Sequence, residues 1–315
     1  MLKEKTKIFD LAILGAGPAA LTAGIYASRY KIEHLLIGEQ IGGQVFSSYQ
    51  IGNYPSEKEI LGADLAKKME AAALAQEVKI KRGKIEKIIK KKEIFSVFLE
   101  ENEEIKAKTL ILATGSQRKK LGLEEEEKFL GQGVHYCFTC DGIYYQDKIA
   151  AMVGGGNSAL TGALYLASLA KKVFLICLEK NQKELLAEPY WQEKVFASKK
   201  IEIIFGAKVN KFLGNEFLQG IKISAVDGKN RQVIKLDGVF VEIGSVPNLP
   251  VMNFKLKLTK EGLVATNSSQ GTNIKGFFSA GDLTAGSNKF KQIVTAQAEG
   301  AIAVSSVYSY LNAQK

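Results

Sequence analysis

The sequence predicts an α/β protein of two three-layer, nucleotide-binding-type domains, the second inserted into the first. Three observations predict it. The chain has 315 residues, beyond the roughly 250–300 at which a single core stops growing and splits. A short apolar run, a glycine turn and a helical stretch follow one another twice. The copies begin at Gly15 and Gly154, 139 positions apart, and each reads G-x-G-x-x-A between strand and helix. One such motif is a weak signal, but two in the same local context mark a pair of Rossmann-like folds.

The first copy runs from a strand at 10–14 through Gly15-Ala16-Gly17-Pro18-Ala19-Ala20 into a helix reaching Tyr30. A strand at 34–37 follows and ends at Gly38-Glu39. The second copy has a strand at 149–153, Gly154-Gly155-Gly156-Asn157-Ser158-Ala159, a helix through Ala170 and a strand at 172–176. In each, the first glycine makes the turn and the second lets backbone N–H groups approach a pyrophosphate. The small third residue lets helix pack on strand, and the helix N-terminus faces the anion. Between the copies, 63–78 reads as an amphipathic helix and 79–108 alternates in short strands, as a meander does. Residues 109–115 form a buried strand ending in a glycine turn. Residues 201–246 are again strand-rich, with Asp227-Gly228 as a hairpin signal. A terminal helix from about Phe290 places Ile293, Ala296, Gly300, Val304, Val307 and Leu311 along one stripe. The first domain is then discontinuous, residues 1–115 plus 248–315, with the second at 116–247. Gly115-Ser116 and Val246-Pro247 would be the hinges.

Hydrophobic residues make up 46% and charged residues 24%, which excludes a disordered tail, a collagen-like fibre and a disulfide-stapled miniprotein. The net charge is +10, and only Arg29, Arg82, Arg118 and Arg231 of the basic residues are arginine. A charge carried almost wholly by lysine suits a solvated surface and not bidentate recognition of phosphate or guanine, so no nucleic-acid partner is expected. The uncharged stretches 11–28 and 149–170 each carry a glycine-rich turn and read as strand, turn and helix, so no membrane span is expected. Three cysteines are too few for a disulfide framework, and the chain reads as cytoplasmic. Two histidines, His34 and His135, leave little material for a clustered metal site, and none is expected.

Cys137-Phe138-Thr139-Cys140-Asp141 has the redox-type C-x-x-C spacing. A C-x-x-C opening a helix holds two sulfurs close enough to join, and the helix N-terminus favours the thiolate that attacks a disulfide. Asp141 is placed to pass protons to and from the departing thiol. The competing reading, half of a zinc site, lacks a second pair to complete four-coordination. Cys177 reads as an inert core residue, and His135 as a packed loop histidine rather than part of the proton traffic. A dithiol exchanges thiolate pairs and a nicotinamide moves hydride, and a flavin couples the two. The first fold would therefore hold FAD, with Glu39 placed for the adenosine ribose.

With Gly42-Gly43-Gln44, Asn53-Tyr54-Pro55, Ala113-Thr114-Gly115, Gly281-Asp282 and Lys291-Gln292 in the same order, the chain resembles the low-molecular-weight thioredoxin reductases along nearly its whole length. That resemblance implies a homodimer of two-domain subunits with non-covalent FAD and a swivelling inserted domain. Cys140 would be the flavin-facing sulfur, Cys137 the one that attacks a thioredoxin-like disulfide, and Asp141 the acid/base. The FAD-binding set would be Gly15, Gly17, Pro18, Ala19, Ala20, Gly38, Glu39, Gly43, Gln44, Asn53, Thr114, Gly115, Gly281, Asp282, Lys291, Gln292 and Ile293.

One segment departs from the family. Its members carry His-Arg-Arg and a further arginine after the second strand, gripping the 2′-phosphate of NADPH. Here Cys177-Leu178-Glu179-Lys180-Asn181-Gln182-Lys183 has no arginine. A carboxylate ~4 Å from that phosphate is opposed by ~4 kcal/mol at an effective dielectric of 20, so NADPH is disfavoured. Three donors stand open. With NADH, the nucleotide would lie over Gly154, Gly156, Asn157, Ser158 and Ala159, and Glu179 would hold its free 2′-hydroxyl. With ferredoxin, as in the similar ferredoxin-dependent flavin thioredoxin reductases, the drop from about −400 to about −270 mV supplies ~6 kcal/mol for two electrons. The lysine excess would steer an acidic partner. Ordinary NADPH use through Lys180 and Lys183 is the third. Of another class altogether would be a non-catalytic flavin redox sensor.

Overall fold

The structure, a computed structural model, describes residues 7–314, and the chain folds as two compact units. One comprises residues through Phe46, Ile51–Gln117 and the segment from Val246; the other comprises Ser47–Gln50 and Arg118–Ser245. The division falls two residues from both boundaries expected from sequence. The short excursion Ser47–Gln50 into the second unit was not anticipated.

In the first unit an eight-stranded sheet runs in the order Val251–Met252, Ile85–Lys91, Ile94–Leu99, Glu104–Leu112, Ile8–Leu14, His34–Gly38, Ile80–Arg82, with Phe277–Ser279 also on Glu104–Leu112. Ile8–Leu14 pairs in parallel with both neighbours, Leu11 opposite His34 on one side and Thr109 on the other. Its side chains alternate between two cores, because successive strand residues face opposite sides. Leu11 and Ile13 join the core beneath helices α1 (Pro18–Arg29), α2 (Gly62–Leu74) and α6 (Ile293–Asn312); Ala12 and Leu14 join the core on the other face, around Phe95, Val97 and Phe277. Gly300 of α6 lies against Ala19 of α1 so closely that an added methyl would sit 3.0 Å from the Ala19 carbonyl carbon. The expected stripe of α6 faces inward, with Ala296, Val304 and Val307 buried.

Two expectations shift. Ile80–Arg82 leaves the meander and pairs in parallel with His34–Gly38, so the meander keeps Ile85–Lys91, Ile94–Leu99 and Glu104–Leu112 as its antiparallel strands. The helix expected over 63–78 stops at Leu74, because Glu77 turns to φ +59° and Val78 folds back to donate to the Ala73 carbonyl.

The second unit has a five-stranded parallel sheet in the order Val134–His135, Gly238–Val241, Ile149–Val153, Lys172–Ile176, Ile201–Ile204. One face packs on α4 (Asn157–Leu169) and α5 (Pro189–Ala197), through Ala150, Met152, Leu160, Leu166 and Trp191. The other packs on an antiparallel sheet of Ala207–Gly214, Leu218–Ala225 and Gln232–Lys235, through Ala151, Val153, Phe212, Ile221 and Ile234. Asp227-Gly228 turns the last hairpin, with Gly228 at φ +83°. Among the described residues no helix is long and apolar enough to cross a membrane.

Candidate active site

In the first unit, Gly15 adopts φ +124° with the Ala113 carbonyl where a side chain would be, and its N–H donates to the Ile37 carbonyl at 2.7 Å. Gly17 caps α1 with no side-chain acceptor, and Pro18 opens the helix. Gly38 has no room for a side chain, since a methyl would lie 2.6 Å from the Ala16 methyl. The chain after Glu39, itself exposed, returns so that Gly42 donates to the Ala16 carbonyl and Gly43 faces Gly17. An uncapped helix end behind a glycine turn, an open Gly17 and a carboxylate at the end of the second strand form a cradle for a dinucleotide. FAD therefore fits the residues present.

The rest of the expected FAD set gathers in the same unit. Asn53 Nδ2 donates to Gln292 Oε1 at 3.1 Å, joining positions 239 apart in sequence. Gln292 caps α6 in a reciprocal box with Thr295, and Ile293 begins the helix. The Thr114 hydroxyl donates to the Asn248 carbonyl at 2.6 Å, next to Gly115 at φ +67°. Gln44 donates to the Ser116 carbonyl at 2.6 Å and to its hydroxyl at 2.7 Å. Asp282, half-buried beside Lys291, has its pKa raised above the usual carboxylate range, chiefly by burial. One residue that sequence reading missed is Glu299. It is buried on α6, accepts from the Gly281 N–H at 2.7 Å and the Thr284 hydroxyl at 2.9 Å, and so holds the turn that carries Asp282. A carboxylate one position before stripe residue Gly300 was its only signal.

In the second unit, Cys137 and Cys140 are joined by a disulfide at the start of the short helix α3 (Phe138–Asp141). Cys137 caps that helix, its sulfur accepting from the Cys140 N–H at 3.3 Å. Phe138 anchors the turn in the core, in the space left by Gly162 of α4, where a methyl would meet its ring at 2.8 Å. The Thr139 hydroxyl donates to the Ser47 carbonyl at 2.9 Å. Cys140 is exposed and Cys137 half-buried.

His135 is not in a loop, as expected, but in the edge strand Val134–His135, and it is buried. Its Nδ1 lies 3.1 Å from Asp141 Oδ2, and its Nε2 lies 2.7 Å from the Tyr145 hydroxyl. Burial lowers the imidazole pKa and outweighs the opposing pull of Asp141. Burial, with Asp141 and Asp237, pushes Tyr145 up to about 12.

The second glycine turn repeats the backbone of the first. Gly154 stands at φ +138° over the Glu242 carbonyl and donates to Ile176 at 2.9 Å; Gly156 caps α4 without a side-chain acceptor and has open space beside it. Asn157 Oδ1 accepts from Glu188 N–H at 2.7 Å, Ser158 is exposed and Ala159 is buried. Glu179 lays its carboxylate over Gly155, where a methyl would sit 2.5 Å from the carboxyl carbon, and its Oε2 is buried without a hydrogen-bond partner. The Cys177 thiol faces the Gly154 carbonyl, with a pKa pushed up to about 12 by burial and by Glu179, so it is an inert core residue. Glu242, unforeseen, directly follows the apolar strand Gly238–Val241. It is buried 2.9 Å from Arg118 Nη1, and burial pushes it up to about 7 despite that arginine.

The chain is similar to known proteins along nearly its whole length. The sequence pattern described as pyridine nucleotide-disulphide oxidoreductase matches residues 9–300. The chain is 35% identical to the thioredoxin reductase of Listeria monocytogenes over 318 aligned residues, covering 100% of this chain and 97% of that one. Its fold superposes on Lactococcus lactis thioredoxin reductase with a TM-score of 0.91 at 28% identity, covering 97% and 99% of the two chains. A ferredoxin-flavin thioredoxin reductase from Clostridium acetobutylicum gives 0.52 at 29% identity, covering 97% and 98%. With a match over nearly the whole chain, twin glycine turns and a vicinal cysteine pair, the protein belongs to the pyridine nucleotide-disulphide oxidoreductase family.

Proposed function

We propose that the chain is an FAD-dependent thioredoxin reductase that takes its electrons from a donor other than NADPH, with NADH favoured. FAD would be held over Gly15–Ala20 by Glu39, Gln44, Asn53, Asp282 and Gln292, and when bound it couples hydride transfer to dithiol chemistry. Cys140, exposed and at the end of one helical turn, is the sulfur for the flavin. Cys137 is the sulfur for a thioredoxin-like disulfide, and Asp141 carries the proton. A homodimer is part of the reading, supported by the exposed aromatics Tyr26 on α1 and Tyr30 just after it, the latter stacked on exposed Tyr308 of α6.

The observation that carries the donor assignment is the Glu179 carboxylate on Gly155, with one oxygen buried and unpartnered. A carboxylate with an unpartnered oxygen is an acceptor for the vicinal hydroxyls of a ribose, and its charge repels a 2′-phosphate in the same place. Lys180 and Lys183 are exposed point charges without the planar fork that arginine offers. A second reading, reduction by ferredoxin, is supported by the lysine-borne net charge of +10 and by the likeness to the Clostridium acetobutylicum enzyme.

The test is anaerobic reduction of the purified flavoprotein, followed at the visible flavin band, with NADH, NADPH and a reduced plant-type ferredoxin added separately. NADH should bleach the flavin at micromolar concentration and NADPH only at far higher concentration. Equal bleaching by NADPH would overturn the reading of Glu179, and bleaching by ferredoxin alone would replace NADH with the second reading. Cys137→Ser should keep flavin reduction and lose thioredoxin reduction.

A further inference from the structure

We propose that His135 is the positioning residue of the dithiol centre: it fixes the Asp141 carboxylate through Nδ1–H and is itself fixed by the Tyr145 hydroxyl on Nε2. The inference rests on the reading of Cys137 and Cys140 as the reactive pair. It goes beyond that reading by giving the proton carrier a support of its own.

The tautomer follows from the partners. A carboxylate only accepts, so the His135 nitrogen 3.1 Å from Asp141 Oδ2 carries the hydrogen. In the neutral imidazole the other nitrogen is then an acceptor, and the Tyr145 hydroxyl at 2.7 Å donates to it. The ring cannot turn freely. It stacks on Phe240 at 5.1 Å and meets Tyr145 edge-on at 5.4 Å. Tyr145 is wedged in turn against Gly238, where a methyl would sit 2.7 Å from the hydroxyl oxygen. The charged groups around this chain are Asp141 on α3, Asp237 before the neighbouring strand, and Lys148 over the Tyr145 ring at 5.6 Å. Burial disfavours the imidazolium, so His135 holds the carboxylate as a neutral donor and does not take the proton itself.

The exchange it serves balances as follows. In the reduced pair, the Cys137 thiolate attacks one sulfur of the target disulfide, that S–S bond breaks, and the far sulfur leaves with a proton. The Cys140 thiolate then attacks Cys137, closing the disulfide and releasing the second target sulfur with a second proton. The two electrons and the two protons come from Cys137 and Cys140, and Asp141 relays one of those protons. A carboxylate held in one orientation meets the thiol in one geometry, whereas a half-exposed carboxylate without its donor samples several.

The experiment uses holoprotein reduced with dithiothreitol, desalted anaerobically and mixed with the aromatic disulfide DTNB, so that neither electron donor nor thioredoxin enters. A parallel series uses bis(2-hydroxyethyl) disulfide in place of DTNB, and single-turnover rates are recorded for both at pH 7. The alkyl thiolate released from that disulfide is basic and needs a proton, whereas the aromatic thiolate released from DTNB leaves without one. Asp141→Asn should therefore slow exchange with the alkyl disulfide and spare DTNB. His135→Ala should slow the alkyl disulfide about 3- to 10-fold, leave DTNB unchanged, and add nothing in the Asp141→Asn background. His135→Asn, whose amide can donate from nearly the same place as Nδ1, should restore much of the wild-type rate. Tyr145→Phe, which frees the tautomer, should give a smaller loss and serves as a second variant should the alanine protein not fold. Equal slowing with both disulfides, no change at all, or a loss that adds to that of Asp141→Asn overturns the inference. Absence of any reaction with DTNB in wild type would instead overturn the reading of the cysteine pair.

Discussion

Replacing Glu242 with glutamine should make the second unit more stable at pH 8 while leaving it little changed at pH 5. The side chain is 1% exposed, and neither carboxylate oxygen makes an aligned hydrogen bond, although Arg118 lies at 2.9 Å. Desolvation therefore wins over the ion pair, and the pKa rises from 4.5 to about 7. The sign follows from proton counting. Between about pH 4.5 and 7 the folded unit keeps a proton on Glu242 that the unfolded chain has lost, so stability falls as pH rises through that window. A shift of about 2.5 units at 1.36 kcal/mol each makes the loss about 3 kcal/mol, complete above pH 7 and absent below the unfolded pKa. Glutamine keeps the shape and removes the charge. Arg118, 21% exposed, can recover water when unpaired. The assay is urea unfolding at pH 5, 6, 7 and 8, followed by tryptophan fluorescence. Trp191 is the only tryptophan and is buried in the second unit, so it reports that unit without assuming that both units unfold together. A wild type with no pH slope across this window would refute the reasoning. So would a variant clearly less stable than wild type at pH 8, which would mean that the arginine outweighs desolvation.

Glu299→Leu removes the acceptor for two buried donors, Gly281 N–H and the Thr284 hydroxyl; it should cost about 2–4 kcal/mol and weaken FAD retention, read as free flavin fluorescence after dilution. Gly300→Ala drives a methyl against the Ala19 backbone of α1, where neither helix can yield locally, and should cost about 1–3 kcal/mol in the thermal unfolding of the first unit. Phe95→Ala empties a site that is 1% exposed and lined by Phe254 and Phe277, and denaturant unfolding should register about 3–5 kcal/mol. Gly156→Ala should fold within about 1 kcal/mol of wild type, since nothing lies within 4 Å of the added methyl, yet reduction of the flavin by NADH should slow at least tenfold.

Local sterics were legible in the sequence, and non-local pairing was not. Gly15 and Gly154 could be placed because a turn at positive φ, with a carbonyl where a side chain would be, is a demand of the nearest few residues. The alternation of residues 11–14 and 150–153 between two cores follows from strand geometry alone. The short strand Ile80–Arg82 reads like its meander neighbour Ile85–Lys91, and each of its residues pairs with one 44 positions earlier, so nothing nearby in sequence marks it. The buried acids were hidden for a related reason. Periodicity marks apolar positions, and it treats a charge such as Glu299 or Glu242 as a solvated residue unless its buried partner is known. His135 was read as packing because Asp141 is six residues away across a turn, and only the fold brings the two within 3.1 Å.

The three glycines of the second turn separate packing from binding. Gly154 is required by the fold itself, since a side chain there would occupy the Glu242 carbonyl, and Ala159 is required by the close fit of α4 on its strand. If the turn served packing alone, the requirement would end with those two. Gly155 is small because the Glu179 carboxylate lies upon it, and that carboxylate has a buried oxygen without a partner in the protein. Gly156 stands at φ −93°, which any residue can adopt, with nothing within 4 Å to exclude a side chain. A position that packing leaves unconstrained, beside a carboxylate that packing leaves unsatisfied, is what close approach of a ribose and pyrophosphate would demand. Reduction by ferredoxin gives no reason for either feature, and NADH gives one for both.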